Sequence, residues 1–224
     1  MPRAKVKKPP AKVLIVDDHP AVREALAIRI SQRRDLVVCG EAEDLAQALR
    51  LVVQKNPDVA IIDIALKKGN GIDLIKRIKA RDKHVRMLVW SMYSESDYAE
   101  RALRAGALGY ITKEQATARI VEAIARVLEG EVYLSPAMAG KLLRRAVGED
   151  PAQLQRAPLD ALADRELEVF RLIGKGVKTK DIAEQLHLSI KTVETYRDRI
   201  RAKLELSDGT ALARQATQWV LENG

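Results

Sequence analysis

A chain of 224 residues is long for one ordinary domain and suits two. A hydrophobic share of 47% and a charged share of 31% describe globular structure with a core in each part, and no apolar run approaches the length of a bilayer span. The net charge of +8 is weaker evidence for nucleic acid than it first suggests: residues 1–10 hold four Lys and Arg and no acid, while from Ala161 onward eleven bases face ten acids.

The leader, residues 1–11, is basic, carries Pro9-Pro10 and is followed by no hydrophobic stretch, so it reads as a flexible tail and not as a secretion signal. Val13-Leu14-Ile15-Val16 is then a continuous apolar run that ends in Asp17-Asp18. Val22, Leu26 and Ile30 at helical spacing predict a helix over 21–30. The alternation repeats: strand 36–40, helix 45–54, strand 59–64, helix 72–80, strand 87–90, helix 97–105, strand 108–111, helix 119–128. Five apolar strands alternating with five helices predict a doubly wound α/β domain whose parallel sheet is covered on both faces. The single Cys39 lies in a strand-like run and reads as a structural thiol in a reducing cytoplasm.

Right-handed crossovers bring several strand ends to one edge, and those ends carry Asp17, Asp18, Asp63, Ser91 and Lys113. Ligands of open parallel sheets bind beyond that edge. Carboxylates gathered there repel one another unless a cation sits among them, and hard oxygen donors suit Mg²⁺. Taken singly, each residue has a plain structural explanation. A strand-terminal Asp caps a turn, Ser91 caps the next helix, Lys113 is a solvated lysine and Tyr110 packs in the core. Their convergence argues for a site. His19, His84 and His187 are too scattered for a metal cage or triad and read as structural or exposed.

This set of side chains resembles the receiver domain of bacterial two-component response regulators, of flavodoxin-like fold class, over residues 12–130. The resemblance implies that Asp63 accepts a phosphoryl group from a sensor histidine kinase. It further implies that Asp18 and Asp63 ligate Mg²⁺, that Asp17 acts mostly through water, and that the backbone carbonyl of Ala65 completes the protein ligands. Ser91 would hydrogen-bond the phosphoryl group, Lys113 would pair with it, and Tyr110 would be the aromatic that turns inward when Ser91 moves. Receivers usually carry Pro where this chain has Lys67, so a freer turn is expected there. Ala65 and Tyr93 would flank the path of attacking water. An aspartyl-nucleophile phosphatase of the haloacid dehalogenase type would need an Asp in place of Ala65, and Asp17-Asp18 would repel a flavin phosphate.

Residues 131–158 read as a linker with one short helix begun by Ser135-Pro136. From residue 159 to 224 the strand signals vanish. Leu167, Phe170 and Ile173 predict a helix over 164–173 stopped by Gly174 to Gly176. A second helix follows over 179–186, then the turn His187-Leu188-Ser189 and a longer, cationic helix over 190–206. A last helix over 210–221 sets Leu212, Ala216, Trp219 and Val220 at core spacing. Between Lys175 and Lys203 eight bases face four acids, a local positive field of the kind DNA requires. Asp164-Arg165-Glu166-Leu167-Glu168-Val169 and Lys191-Thr192-Val193-Glu194-Thr195-Tyr196 resemble the LuxR-type helix-turn-helix of the NarL/FixJ response regulators. Helical spacing turns Lys191, Thr192, Glu194, Thr195 and Asp198 toward the groove, with Lys178, Lys180, Arg197, Arg201 and Lys203 as phosphate contacts. The joint resemblance implies a cytoplasmic regulator that binds double-stranded DNA, forms a homodimer when phosphorylated and meets RNA polymerase. No enzymatic activity is expected beyond phosphotransfer and dephosphorylation at its own aspartate. The alternative from another class is a phosphorylation-independent regulator or adaptor whose receiver serves as a protein-interaction module.

Overall fold

The computed structural model describes residues 9–114, 118–147, 159 and 161–223. They fall into two compact units, Met1–Leu134 and Ser135–Gly224. In the first unit the apolar runs form five strands, β1 (Ala11–Val16), β2 (Leu36–Ala42), β3 (Val59–Ile62), β4 (Arg86–Ser91) and β5 (Gly109–Thr112), all parallel in the order β2-β1-β3-β4-β5. Between and after them run α1 (Pro20–Ser31), α2 (Leu45–Lys55), α3 (Gly71–Arg81), α4 (Glu95–Ala105) and α5 (Ala118–Glu129).

Side chains of a strand alternate between the faces of its sheet, so each apolar run serves two cores. Val13, Ile15, Val59, Ile61, Leu88, Trp90 and Ile111 pack with Leu26 and Ile30 of α1 and with Ile120, Ile124 and Val127 of α5. Leu14, Val16, Ala60, Ile62, Met87, Val89 and Tyr110 are equally buried and serve the other face, where α2, α3 and α4 pack side by side.

Two departures from the expected boundaries matter for the site. β3 ends at Ile62, not Ile64. The Asp63 N–H still donates to Val16 O at 2.8 Å, after which the chain turns away. The turn is closed by Gly71 N–H to Ile64 O at 2.8 Å and by Asn70 Oδ1, which accepts the Ile72 N–H at 2.7 Å and caps α3. A Cβ on Gly71 would lie 2.1 Å from Asp63 O, so only glycine lets the loop fold back this closely. The loop is therefore tied down without the usual proline, and exposed Lys67 lies 3.7 Å from Glu43.

Just beyond α5 the chain returns to the sheet. Tyr110 N–H donates to Tyr133 O and Tyr133 N–H to Leu108 O, both at 2.9 Å, so Tyr133 covers the free edge of β5.

The second unit is helical: α6 (Pro136–Ala146), α7 (Asp164–Gly174), α8 (Thr179–Gln185), α9 (Ile190–Lys203) and α10 (Gly209–Asn223). Its buried residues include Leu167, Phe170 and Ile173 of α7, Ile182 of α8, Val193 and Ile200 of α9, and Leu212 and Ala216 of α10. α7 ends at Gly174, within one residue of the expected stop. Gly174 is its last residue and is buried, and a Cβ there would lie 2.3 Å from Ala216 O, so it also allows the close approach of α10. The stop is Gly176, at φ +75°. The longer helix also ends three residues before the expected Leu206, with Glu205 at φ +54° just past its end.

Candidate phosphoacceptor site and nucleic-acid interface

Four strand ends converge at the C-terminal edge of the sheet. β1 leads into Asp17-Asp18, β3 into Asp63, β4 ends on Ser91, and Lys113 follows β5. Asp17, Asp63 and Ser91 are all buried. Ser91 Oγ donates to Asp63 Oδ1 at 2.6 Å. Lys113 Nζ donates to Asp63 Oδ2 at 2.5 Å and to Asp17 Oδ2 at 2.6 Å, while Asp17 Oδ1 accepts the His19 N–H at 2.9 Å. Burial lifts the Asp63 carboxyl above the ordinary carboxylate range; Lys113 opposes the rise, the Asp17 charge adds to it, and the balance is upward. For Lys113 burial alone would favour the neutral amine, but the charge of Asp63 and the hydrogen bond and charge of Asp17 outweigh it and raise its pKa.

Asp18 completes the acidic group. Its Oδ1 is buried and accepts no hydrogen bond, although His19 Nδ1 lies 2.7 Å away. A buried carboxylate oxygen that accepts no hydrogen bond is costly, and a hard cation would satisfy it. One donor atom from each of Asp17, Asp18, His19 and Asp63 lies within 4.8 Å of the other three. The residues present therefore fit a divalent cation. His19 is the member that sequence reasoning missed, because its spacing was weighed against other histidines; the signal was its place directly after Asp17-Asp18. Ala65 stands beside the group, its N–H 3.3 Å from Asp63 Oδ1.

A polar path leads from Asp63 toward β5. Ser91 Oγ lies 3.4 Å from the Tyr93 N–H, and Tyr93 O accepts the Tyr110 hydroxyl at 2.9 Å. Tyr110 is 1% exposed, so its ring already stands inward. The Tyr93 ring stacks on Tyr98 of α4 at 4.8 Å between centroids.

In the second unit α8 and α9 are joined through His187, at φ +52°, and Ser189. Ser189 Oγ accepts the Thr192 N–H at 3.0 Å and caps α9. Lys178, Lys180, Lys191, Glu194, Thr195, Asp198 and Lys203 are exposed, and Thr192, Arg197 and Arg201 are half-buried. Two of the expected phosphate contacts already have carboxylate partners. Arg201 donates to Asp198 Oδ1 at 2.6 Å, and Lys203 donates to Oε2 of buried Glu166 at 2.6 Å. The same Glu166 oxygen accepts the Ala163 N–H at 2.7 Å, so Lys203 helps to hold the start of α7. Arg199, exposed on α9, was not singled out from sequence and has no ion-pair partner among the described residues.

Comparison with known proteins matches each unit to a family. Residues 13–125 match the response regulator receiver domain, and residues 160–216 match the bacterial regulatory proteins of the luxR family. A putative transcriptional regulator of Pseudomonas aeruginosa is 38% identical over 87% of this chain and 91% of its own. The transcriptional regulatory protein LiaR of Bacillus subtilis is 36% identical over 90% of this chain and 94% of its own. Among solved structures, RcsB of Salmonella enterica serovar Typhimurium, bound to promoter rprA in the presence of phosphomimetic BeF3-, is 26% identical. It covers 93% of this chain and 98% of its own, with a TM-score of 0.61. A receiver whose strand ends gather a carboxylate cluster, followed by a LuxR-type helix-turn-helix, makes this chain a member of the response-regulator family of transcriptional regulators.

Proposed function

We propose that the chain is a phosphorylation-activated, DNA-binding transcriptional regulator whose phosphoacceptor is Asp63. The observation that carries this reading is one buried carboxylate held at once by the Ser91 hydroxyl and the Lys113 ammonium. An Asp63 oxygen attacks the phosphorus of a phosphohistidine on a sensor histidine kinase. The O–P bond forms as the N–P bond breaks, and the electron pair returns to the kinase imidazole. Negative charge grows on the transferring oxygens, and a site answers it mainly by positioning and by fixed positive groups. Lys113 would exchange its contact with Asp63 Oδ2 for a phosphoryl oxygen, and Ser91 would turn its donor from Asp63 Oδ1 to another. Asp17, Asp18, Asp63 and the Ala65 carbonyl would hold Mg²⁺, which when bound neutralises phosphoryl charge. Asp17 keeps Lys113 aimed at the reaction centre through their shared hydrogen bond.

The switch reading runs through Ser91, Tyr93 and Tyr110 to α4. Phosphorylation would bias that path and favour a homodimer that binds double-stranded DNA in the cytoplasm, where it would act with RNA polymerase. Lys191, Thr192, Glu194 and Thr195 would meet base edges, and Lys178, Lys180, Arg197, Arg201 and Lys203 the phosphates. The division proposed is a tail over 1–11, receiver over 12–130, linker over 131–158 and DNA-binding domain over 159–224.

One observation favours a second reading, a phosphorylation-independent regulator. The Tyr110 ring is buried and its hydroxyl is held by Tyr93 O, contacts that do not involve Asp63. The deciding experiment treats wild type and Asp63→Asn with a small phosphodonor and Mg²⁺, following protein mass and binding to genomic DNA fragments. A mass gain in wild type alone, with tighter DNA binding, supports the switch. No gain, with equal DNA binding by both proteins, supports the second reading.

A further inference from the structure

We infer that His19 supplies an imidazole ligand to the cation at Asp17, Asp18 and Asp63, and so turns a magnesium-type oxygen site toward first-row transition divalents. The inference rests on the reading above that these carboxylates hold a divalent cation. Three observations carry it. First, a cation whose ligands sit at about 2.1 Å spans about 4.2 Å between ligands on opposite sides. The four donor atoms here lie within 4.8 Å of one another, so one ion can reach all of them after adjustments of well under an ångström.

Second, the imidazole does not cap its helix and faces the carboxylates. His19 is the N-cap residue of α1, yet its side chain makes no capping hydrogen bond. It is 67% exposed, and its Nδ1 approaches only carboxylates, 2.7 Å from Asp18 Oδ1 and 3.5 Å from Asp17 Oδ1. The backbone N–H of His19, not its ring, ties the turn to Asp17. Third, the Asp18 oxygen nearest the ring is buried and accepts no hydrogen bond. An imidazole nitrogen and an unengaged carboxylate oxygen side by side form half of a mixed N,O coordination set. Oxygen-only sets suit Mg²⁺, whereas imidazole suits Co²⁺, Ni²⁺ and Zn²⁺, with affinity rising from Mn²⁺ through Co²⁺ to Ni²⁺.

The test loads the full chain with Mn²⁺ and looks for nitrogen coupling by pulsed electron paramagnetic resonance. Co²⁺ and Mg²⁺ affinities are titrated in parallel for wild type, His19→Ala and His19→Gln. Because the ring is 67% exposed and its ion-pair contacts are with the Asp17 and Asp18 carboxylates, both variants should fold and melt close to wild type, which a thermal melt checks. The expected result is nitrogen coupling in wild type and none in either variant, with Co²⁺ bound about tenfold or more weakly by His19→Ala and Mg²⁺ losing much less. Mn²⁺ binding at one site without nitrogen coupling in wild type, or with coupling that survives in His19→Ala, overturns the role of His19 and leaves the carboxylate site standing. If wild type takes up no divalent cation at all, the cation reading itself falls and the inference falls with it.

Discussion

Asp63 is held by two donors, yet its charged form is disfavoured, because burial outweighs what Lys113 returns. A carboxyl whose folded pKa is raised contributes stability that is fully present below its unfolded value, about 3.9, and is lost as pH rises through the folded value. The cost of the charge therefore grows as pH rises from the unfolded value toward the folded one. Asp63→Asn should melt higher than wild type in divalent-free buffer near pH 7. The gap should shrink as pH falls through the folded pKa and close below about pH 3.9; a gap that stays constant with pH would show that the charge is not its source. Lys203 makes the opposite case. Its ammonium is the partner of buried Glu166, so Lys203→Ala leaves a carboxylate uncompensated at the start of α7. Because Lys203 is itself 39% exposed, the loss should be roughly 1–3 kcal/mol, below that of a fully buried pair, and denaturant unfolding of the second unit measures it. Neither the Lys203 pair nor the place of His19 could be read from the chain. The first joins residues 37 apart, and the second depends on how a turn aims a ring.

At the scale of elements, the loop from Asp63 to Gly71 is the piece on which the site depends. A methyl group at Gly71 would meet Asp63 O at 2.1 Å and Ile64 Cα at 2.8 Å, both of them backbone. Gly71→Ala should cost at least about 1–3 kcal/mol through overpacking and, by shifting Asp63, slow phosphorylation by a small phosphodonor. Mass spectrometry over time reads the rate, and a wild-type rate would mean that the loop can move without carrying Asp63. Ser189→Ala should cost about 1 kcal/mol by removing the N-cap of α9, without touching the receiver. The strands and helices were legible because the apolar period is strong: residues 13–16 of β1 and all of β3 are unbroken apolar runs, and Val22, Leu26 and Ile30 mark one helix face. Ends without a sequence signal were not. Glu205 takes a positive φ past α9 although neither Gly nor Pro announces it, and Tyr133 joins β5 through backbone hydrogen bonds that its side chain does not encode. The packing role of Gly174 was not legible, since glycine at a helix end serves close packing as well as termination.

For the whole molecule, global charge says little and the local field says more, so DNA binding should be judged by its salt dependence. Each phosphate neutralised contributes about 0.9 to the slope of log affinity against log salt. Lys180 is exposed on α8 with no ion-pair partner among the described residues, so its removal should delete a full contact. Arg201 is bonded to Asp198 and must give up that pair first, so Arg201→Ala should change the slope less than Lys180→Ala. The size of the change also counts chains on DNA. Lys180→Ala should lower the slope by about 0.9 for a bound monomer and about 1.8 for a dimer, because a dimer loses one contact from each copy. Fluorescence anisotropy titrations at several salt concentrations, before and after treatment with phosphodonor, should move from the smaller change to the larger if phosphorylation drives dimerisation. A change of about 1.8 in both states would mean that the dimer forms without it, and an unchanged slope would remove Lys180 from the interface.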